Sequence, residues 1–116
     1  MKIRNKEIFD LHADLCKTLS SPKRLMIIAL LAKKELSVGE LAEVLEVPIA
    51  NVSQHLRTLK DNFVVKARKN GQIVYYSLVD PRMVEACNIL RSVLLEKMKA
   101  RGKVARNINP EELIDE

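Results

Sequence analysis

The feature that most constrains the fold is a pair of short amphipathic segments separated by only a few residues. The stretch Ser37–Glu40 reads Ser-Val-Gly-Glu, a capping box that starts the first segment. The second segment runs from Pro48 to Lys60, and Glu46–Pro48 leave room only for a tight turn. Two helices joined this closely are predicted to form a helix-turn-helix.

After Asn62 the apolar pattern changes from the period of a helix to the period of a strand. Two alternating runs, Val65–Lys69 and Gln72–Ser77, follow on either side of Asn70-Gly71. Asn-Gly between alternating runs is the strongest short-range signal for a hairpin. The sequence therefore predicts a β-hairpin with Asn70-Gly71 at its turn.

Three further helices are predicted around this arrangement. Residues 5–19 form a helix with a broad apolar face, and Ser21 with Pro22 starts a nearly all-apolar helix for the core. The last helix begins at Asp80-Pro81 and repeats apolar residues over about 30 Å. Because the first and last helices carry more apolar surface than one core can cover, we expect a dimer that pairs them.

The length of the chain suggests one compact domain. Its 116 residues, 47% of them hydrophobic, can bury one core but not two. We assign residues 1–101 to this domain, mainly α with a small β-hairpin, and residues 102–116 to a flexible C-terminal tail.

Composition narrows the class of partner. A net charge of +5 favours a polyanion, and an aromatic content of 3% disfavours single strands held by base stacking, so double-stranded DNA is the better candidate. The longest apolar run, Leu25–Ala32, is far shorter than the ~18 residues of a spanning helix, so we expect a cytoplasmic protein with no membrane partner. No nucleophile-base arrangement, phosphate loop or paired carboxylate is evident, and an enzyme is not expected.

The combined pattern resembles the ArsR-type repressors, small dimeric regulators with a winged helix-turn-helix. The resemblance is carried by "LSSPKRLMIIALL", "ELSVGELAEVLEVPIANVSQHLRTLK", "ARKNGQIVYYSL" and "DPRMVEACNILRSVL". Family members usually have a Gly-containing turn where Asp61–Phe63 stands and often a capping Ser at Pro48. The resemblance implies five helices plus a wing, a homodimer formed by the first and last helices, and transcriptional repression at a palindromic operator.

The second helix of the pair carries the residues expected to contact DNA. Ile49, Val52, Leu56 and Leu59 fall at helical spacing and are expected to be buried, which turns the polar positions outward. Asn and Gln suit adenine edges, Arg suits guanine or phosphate, and the basic wing suits phosphates. With the positions that match the family's DNA-facing segment, the predicted DNA-binding residues are Asn51, Ser53, Gln54, His55, Arg57, Thr58, Lys66, Arg68 and Lys69.

Three of the basic positions near this helix have other interpretations. His55 sits at the edge of the buried stripe, so a role in bracing the backbone remains as open as a base contact. Lys23 and Arg24 are expected to be solvated rather than to contact phosphate.

The family's recognised metal sites are not expected in this chain. Ser37 and Gly39 stand where one such site needs cysteines. Arg82 and Arg91 stand near the positions where another needs imidazoles. No resident metal or cofactor is predicted.

A thiol effector site is the remaining candidate. His12 and Cys16 are four residues apart on one helix, and Cys87 lies on the apolar stripe of the last helix. These groups could react with an oxidant or persulfide or bind a soft metalloid such as arsenite and so release DNA. The alternative is that both cysteines are small buried hydrophobes.

Two functional alternatives also stay open at this point. The chain could be a constitutive DNA-binding winged helix without an effector, or a protein-interaction module whose basic wing binds an acidic partner.

Overall fold

The computed structural model describes residues 1–102, 108–109 and 112–114, and the chain forms two compact units, Met1–Val79 and Asp80–Glu116. Most of the predicted C-terminal tail lies outside the described residues. In chain order the elements are α1 (Lys6–Thr18), α2 (Pro22–Leu31), β1 (Leu36–Ser37), α3 (Val38–Leu45), α4 (Ile49–Asp61), β2 (Val65–Asn70), β3 (Ile73–Leu78) and α5 (Arg82–Ala100).

Helix α2 forms the centre of the first unit. Its Ile27 and Ile28 are fully buried, and α2 packs against α3, α4 and β3. Each such side chain contributes roughly 1.5–3 kcal/mol when it is removed from water. The predicted start of α2 is confirmed, since the Ser21 hydroxyl accepts a hydrogen bond from the Arg24 amide at 3.4 Å and Pro22 opens the helix. A buried α2 fixes α3 and α4 on a common support.

The predicted helix-turn-helix is present as α3 and α4. The Glu40 amide donates to the Ser37 hydroxyl at 3.2 Å, and the Ser37 amide donates to the Glu40 carboxylate at 3.0 Å, which completes the capping box. Helix α3 ends at Leu45 and is capped by Glu46, whose φ of 55° is left-handed, and Pro48 directly precedes α4. The chain therefore reverses within Glu46–Pro48, as the sequence indicated.

The hairpin forms as expected, but its turn lies one residue further along the chain. Asn70 pairs with Ile73 at the end of the ladder, so Gly71 and Gln72 are the turn residues rather than Asn70 and Gly71. Only the first of the two has a positive φ, 65° at Gly71, which is the pattern of a type II′ turn and requires glycine there. Two-residue turns set the register of the strands, so this displacement decides which side chains lie opposite each other and places Arg68 opposite Tyr75.

A third strand was not expected from the sequence. Leu36–Ser37 form β1, which pairs antiparallel with β3 and gives the strand order β1-β3-β2. Two residues are too few to show a period, but Leu36 is buried and lies opposite Tyr76. The added strand ties the base of the wing to the segment that leads into α3.

Helices α1 and α5 bury little of their apolar surface. On α1 the side chains of Ile8, Phe9 and Leu11 are exposed, and Thr18 is its buried residue. On α5, in the second unit, Cys87 is buried while a run of apolar neighbours is exposed: Ile89, Leu90, Val93 and Leu94. Both helices thus present apolar faces to solvent in the single chain.

The start of α5 differs slightly from the predicted one. Pro81 takes the capping position and the helix begins at Arg82, whose amide donates to the Asp80 carboxylate at 2.9 Å. The Arg82 guanidinium also binds this carboxylate at 2.7 Å and, with the amide, lowers the pKa of Asp80 to about 2. Asp80 therefore still satisfies the first free amide of the helix.

Candidate nucleic-acid interface

Helix α4 exposes a polar face, and its opposite, apolar face is buried. Val52, Leu56 and Leu59 are fully buried, which fixes the rotation of the helix. The outward positions predicted to contact DNA are exposed: Asn51, Ser53, Gln54 and Arg57. Between Ile49 and Lys60 the helix has no acidic residue, and its single carboxylate, the exposed Asp61, lies at the last position of α4.

Thr58 is less available than its neighbours on this face. It is half-buried, and its hydroxyl donates to the Gln54 carbonyl at 3.2 Å. This backbone contact is the usual partner of a threonine within a helix. Thr58 therefore has an intramolecular partner before any DNA is present.

The predicted burial of Ile49 is wrong, because 59% of this side chain is exposed. Helical spacing placed it with Val52 and Leu56, but Ile49 is the first residue of α4, where no preceding turn of that helix covers it. N-terminal residues of a recognition helix are the ones that reach base edges. An apolar side chain there is a candidate contact that periodicity alone misses; its position directly after Pro48 was the available signal.

His55 takes part in a hydrogen-bond chain that joins three helices. The Arg24 Nε–H of α2 donates to His55 Nδ1 at 3.2 Å, and Arg24 Nη1 donates to the carbonyl of Thr18 at the end of α1 at 3.2 Å. Arg24 and His55 are both half-buried. The expectation that Arg24 is simply solvated is wrong, because its guanidinium meets a helix-end carbonyl and an imidazole.

The electrostatics around His55 favour the neutral ring. Burial lowers the pKa of His55 first, and the charges of Arg24 and Lys23 lower it further. Because a guanidinium N–H only donates, the ring nitrogen that faces Arg24 carries no proton, and the ring proton resides on Nε2.

The wing carries its three cations on two faces of the hairpin. Lys66 and Arg68 lie opposite Ser77 and Tyr75 on one face, while Lys69 lies opposite Val74 on the other. All three cations are exposed. The wing can therefore offer positive charge on both sides of its tip.

Arg68 already has partners within the chain. Its Nη2 lies 2.6 Å from Glu35 Oε1, its Nε also donates to this carboxylate, and the guanidinium sits over the Tyr75 ring at 5.1 Å. The hydrogen bond from Arg68 lowers the pKa of Glu35, and the same bond raises the pKa of Arg68. Such a fork-shaped pair orients the side chain, so of the wing cations Lys66 and Lys69 are better placed to meet phosphate.

The three residues of the predicted thiol site do not lie in one unit. Cys16 and His12 are exposed on α1 in the first unit, and Cys87 is buried on α5 in the second. Within the described residues no cluster of three or more His, Cys, Asp or Glu side chains could hold a metal ion. Thiol sensing stays a prediction.

Comparison with known proteins decides the family. Residues 21–66, which span α2, the helix-turn-helix and the start of the wing, match the pattern described as "Bacterial regulatory protein, arsR family". An uncharacterised HTH-type transcriptional regulator of Mycobacterium tuberculosis, Rv0081, is 32% identical over 107 residues, which cover 91% of this chain and 94% of that protein. The chain belongs to the ArsR family. It is accordingly a transcriptional regulator with a winged helix-turn-helix DNA-binding domain, and not an enzyme.

Other similar proteins match this chain over most of its length. The biofilm growth-associated repressor of Xylella fastidiosa is 33% identical over 87 residues, covering 75% of this chain and 76% of that protein. The crystal structure of Rv0081 has a TM-score of 0.75 at 35% identity and covers 81% of this chain and 95% of that one. The homodimeric winged helix-turn-helix DNA-binding domain of Mb0332 from Mycobacterium bovis, solved by NMR, has a TM-score of 0.76 at 26% identity and covers 86% and 93%.

Among the described residues, no helix is long and apolar enough to cross a membrane.

Proposed function

We propose that this ArsR-family protein is a homodimeric repressor that binds a palindromic operator in double-stranded DNA. Each protomer inserts α4 into the major groove, and its wing lies along the phosphate backbone. The observation that carries the proposal is the α4 face: exposed Asn51, Gln54 and Arg57 on a helix whose back is fully buried. Amide and guanidinium groups make paired hydrogen bonds with base edges, and a rigid support makes such bonds selective.

Dimerisation is supported by the apolar faces of α1 and α5. Ile8, Phe9 and Leu11 on α1, and Leu90 and Leu94 on α5, are exposed in the single chain. Contiguous exposed apolar surface is typical of subunit interfaces, and the related domain of Mb0332 is homodimeric. Two copies of α4 related by a two-fold axis would read two half-sites of an inverted repeat.

The proposal is tested by comparing a base-reading position with a phosphate-contacting one on selected and unrelated duplexes. Gln54→Ala is expected to lower the discrimination at one base pair by roughly 1–3 kcal/mol. Lys69→Ala is expected to weaken all duplexes about equally and to reduce the salt slope by about one unit. Equal losses on every sequence for Gln54→Ala would contradict base reading.

Arg68→Ala is also expected to weaken all sequences about equally, but less than Lys69→Ala. A phosphate that binds Arg68 has to displace the Glu35 carboxylate, which offsets part of the gain. Binding isotherms of the two variants at several salt concentrations measure the difference.

The same measurements separate the alternatives. If the wing served an acidic protein partner instead of DNA, neither duplex would bind even at low salt. A constitutive DNA-binding protein would bind the operator and stay bound under every thiol reagent.

A further inference from the structure

Three helices meet at the side chain of Arg24. Its Nη1–H group donates to the Thr18 carbonyl, which belongs to the last turn of α1 and has no partner within that helix. Its Nε–H group donates to His55 Nδ1 on α4. Thr18 is buried, so this connection lies against the body of the first unit rather than at its rim.

The connection specifies the state of the imidazole as well as its position. Arg24 has only donors to offer, so His55 accepts through Nδ1 only while its ring is neutral. Protonation would set an Nδ1–H group against the Nε–H group of Arg24. Burial and the charges of Arg24 and Lys23 oppose that protonation, and the group that faces the pair from α1 is the uncharged Thr18 carbonyl.

We propose that Arg24 is a positioning residue for operator discrimination: through neutral His55 it holds α4 in the orientation that reads bases. The inference rests on the proposed function. It assigns to Arg24 a role in sequence preference although its side chain points at protein groups, and it gives operator binding a dependence on acid.

The acid dependence has a definite sign. The reading state is the neutral ring, so operator preference is complete at pH 7 and above and is lost as the pH falls through the lowered pKa of His55, below its ordinary value of 6.5. Affinity for unrelated duplexes does not fall in the same range, because protonation adds positive charge. The ratio of the two affinities is therefore the quantity to measure.

The variants separate positioning from charge. Arg24→Gln is expected to lower the ratio of operator to unrelated binding by about tenfold, the effect of losing one hydrogen bond. Lys23→Gln removes the same charge from the adjacent position, which acts on His55 only through its charge, and should leave the ratio unchanged at pH 7.5. Equal ratios for Arg24→Gln and the wild type would overturn the proposal.

Substitutions of His55 test the acid dependence. His55→Asn supplies an oxygen acceptor near the place of Nδ1 that does not titrate, so operator preference should be retained and should no longer fall over the pH range in which the wild type loses it. His55→Leu offers no acceptor and should lose the preference at every pH. An acid loss that persists in His55→Asn would overturn the proposal, since it would arise elsewhere.

A measurement without DNA keeps this inference distinct from the proposed function. The ¹⁵N shifts of the imidazole in the free wild-type protein should show the Nε2–H tautomer of His55 at pH 7.5, and Arg24→Gln should show a mixture of tautomers. An Nδ1–H tautomer in the wild type would overturn the inference even if the protein binds its operator. If the tautomer is as expected but no duplex shows any preference, the proposed function fails instead.

Discussion

At the scale of single residues, Ile49 shows how a terminal position escapes the pattern of its helix. It shares the spacing of Val52 and Leu56, yet its side chain is 59% exposed at the first turn of α4. Apolar side chains at base edges contact the 5-methyl group of thymine. We therefore expect Ile49 to contribute apolar contact to the operator.

Replacing thymine by uracil in the operator tests this contact, because uracil lacks only the methyl group. Ile49→Ala should weaken binding to the thymine operator by roughly 1 kcal/mol, about the transfer free energy of one buried methylene, and should cost little when the contacted thymine is uracil. The check is a double-mutant cycle over each thymine position in turn. Additive effects at every position would contradict the contact.

The polar residues of α4 were predictable because a helix with a buried stripe must expose its other side. Asn51, Gln54 and Arg57 followed from that rule alone. The partners of Arg24 and Arg68 did not, since Arg24 meets His55 across 31 positions and Arg68 meets Glu35 across 33. Such pairs depend on how helices and strands pack, and a single sequence carries no local signal for them.

At the scale of elements, the loop between α4 and β2 contains a strained residue. Phe63 has a φ of 64° and a side chain that is 77% exposed. A left-handed conformation costs a residue with a Cβ roughly 1–2 kcal/mol, and an exposed side chain recovers little of this by burial. The family resemblance implies a Gly-containing turn at this place.

Phe63→Gly is therefore expected to raise the free energy of unfolding by about 1 kcal/mol after the larger entropy of the unfolded glycine is subtracted. Phe63→Ala is the matched control, since it removes the ring but keeps the Cβ and should give no such gain. Chemical denaturation of the three proteins measures the difference. Stabilisation by Ala equal to that by Gly would place the cause in the ring instead of the backbone.

The hairpin illustrates which part of an element a sequence determines. Alternation and the Asn70-Gly71 pair predicted two strands and a tight turn, and both are present. The pairing register of β2 and β3 depends on which turn residue has a positive φ, and within the hairpin that residue is Gly71. The two-residue strand β1 forms by pairing with the edge of β3 that β2 leaves free. Leu36–Ser37 are too short to show an alternation of apolar and polar residues, so the sequence could not predict this strand.

At the scale of the whole molecule, the exposed apolar faces of α1 and α5 are the main sign of a second copy. Leu94→Glu should place a charge in the proposed interface and give a folded monomer. Glu96→Lys changes a charge elsewhere on α5 and should remain a dimer. Sedimentation and far-UV circular dichroism check both variants, and an unchanged Leu94→Glu dimer would refute the interface.

Regulation by thiols is a separate prediction for the dimer. If Cys16 and Cys87 sense an effector, mild oxidant, persulfide or arsenite should release DNA from the wild type and leave Cys87→Ser bound. The measurement is operator binding before and after each reagent, with thiol counts by mass spectrometry. Equal release of the variant would exclude Cys87 as a sensing group.

Selection of bound fragments from random double-stranded DNA tests the central claim most directly. The account predicts enrichment of an inverted repeat whose half-sites lie about one helical turn apart, ~10 base pairs, with affinity that falls as salt rises. Failure to enrich any sequence, together with no binding to duplex DNA at low salt, would contradict it.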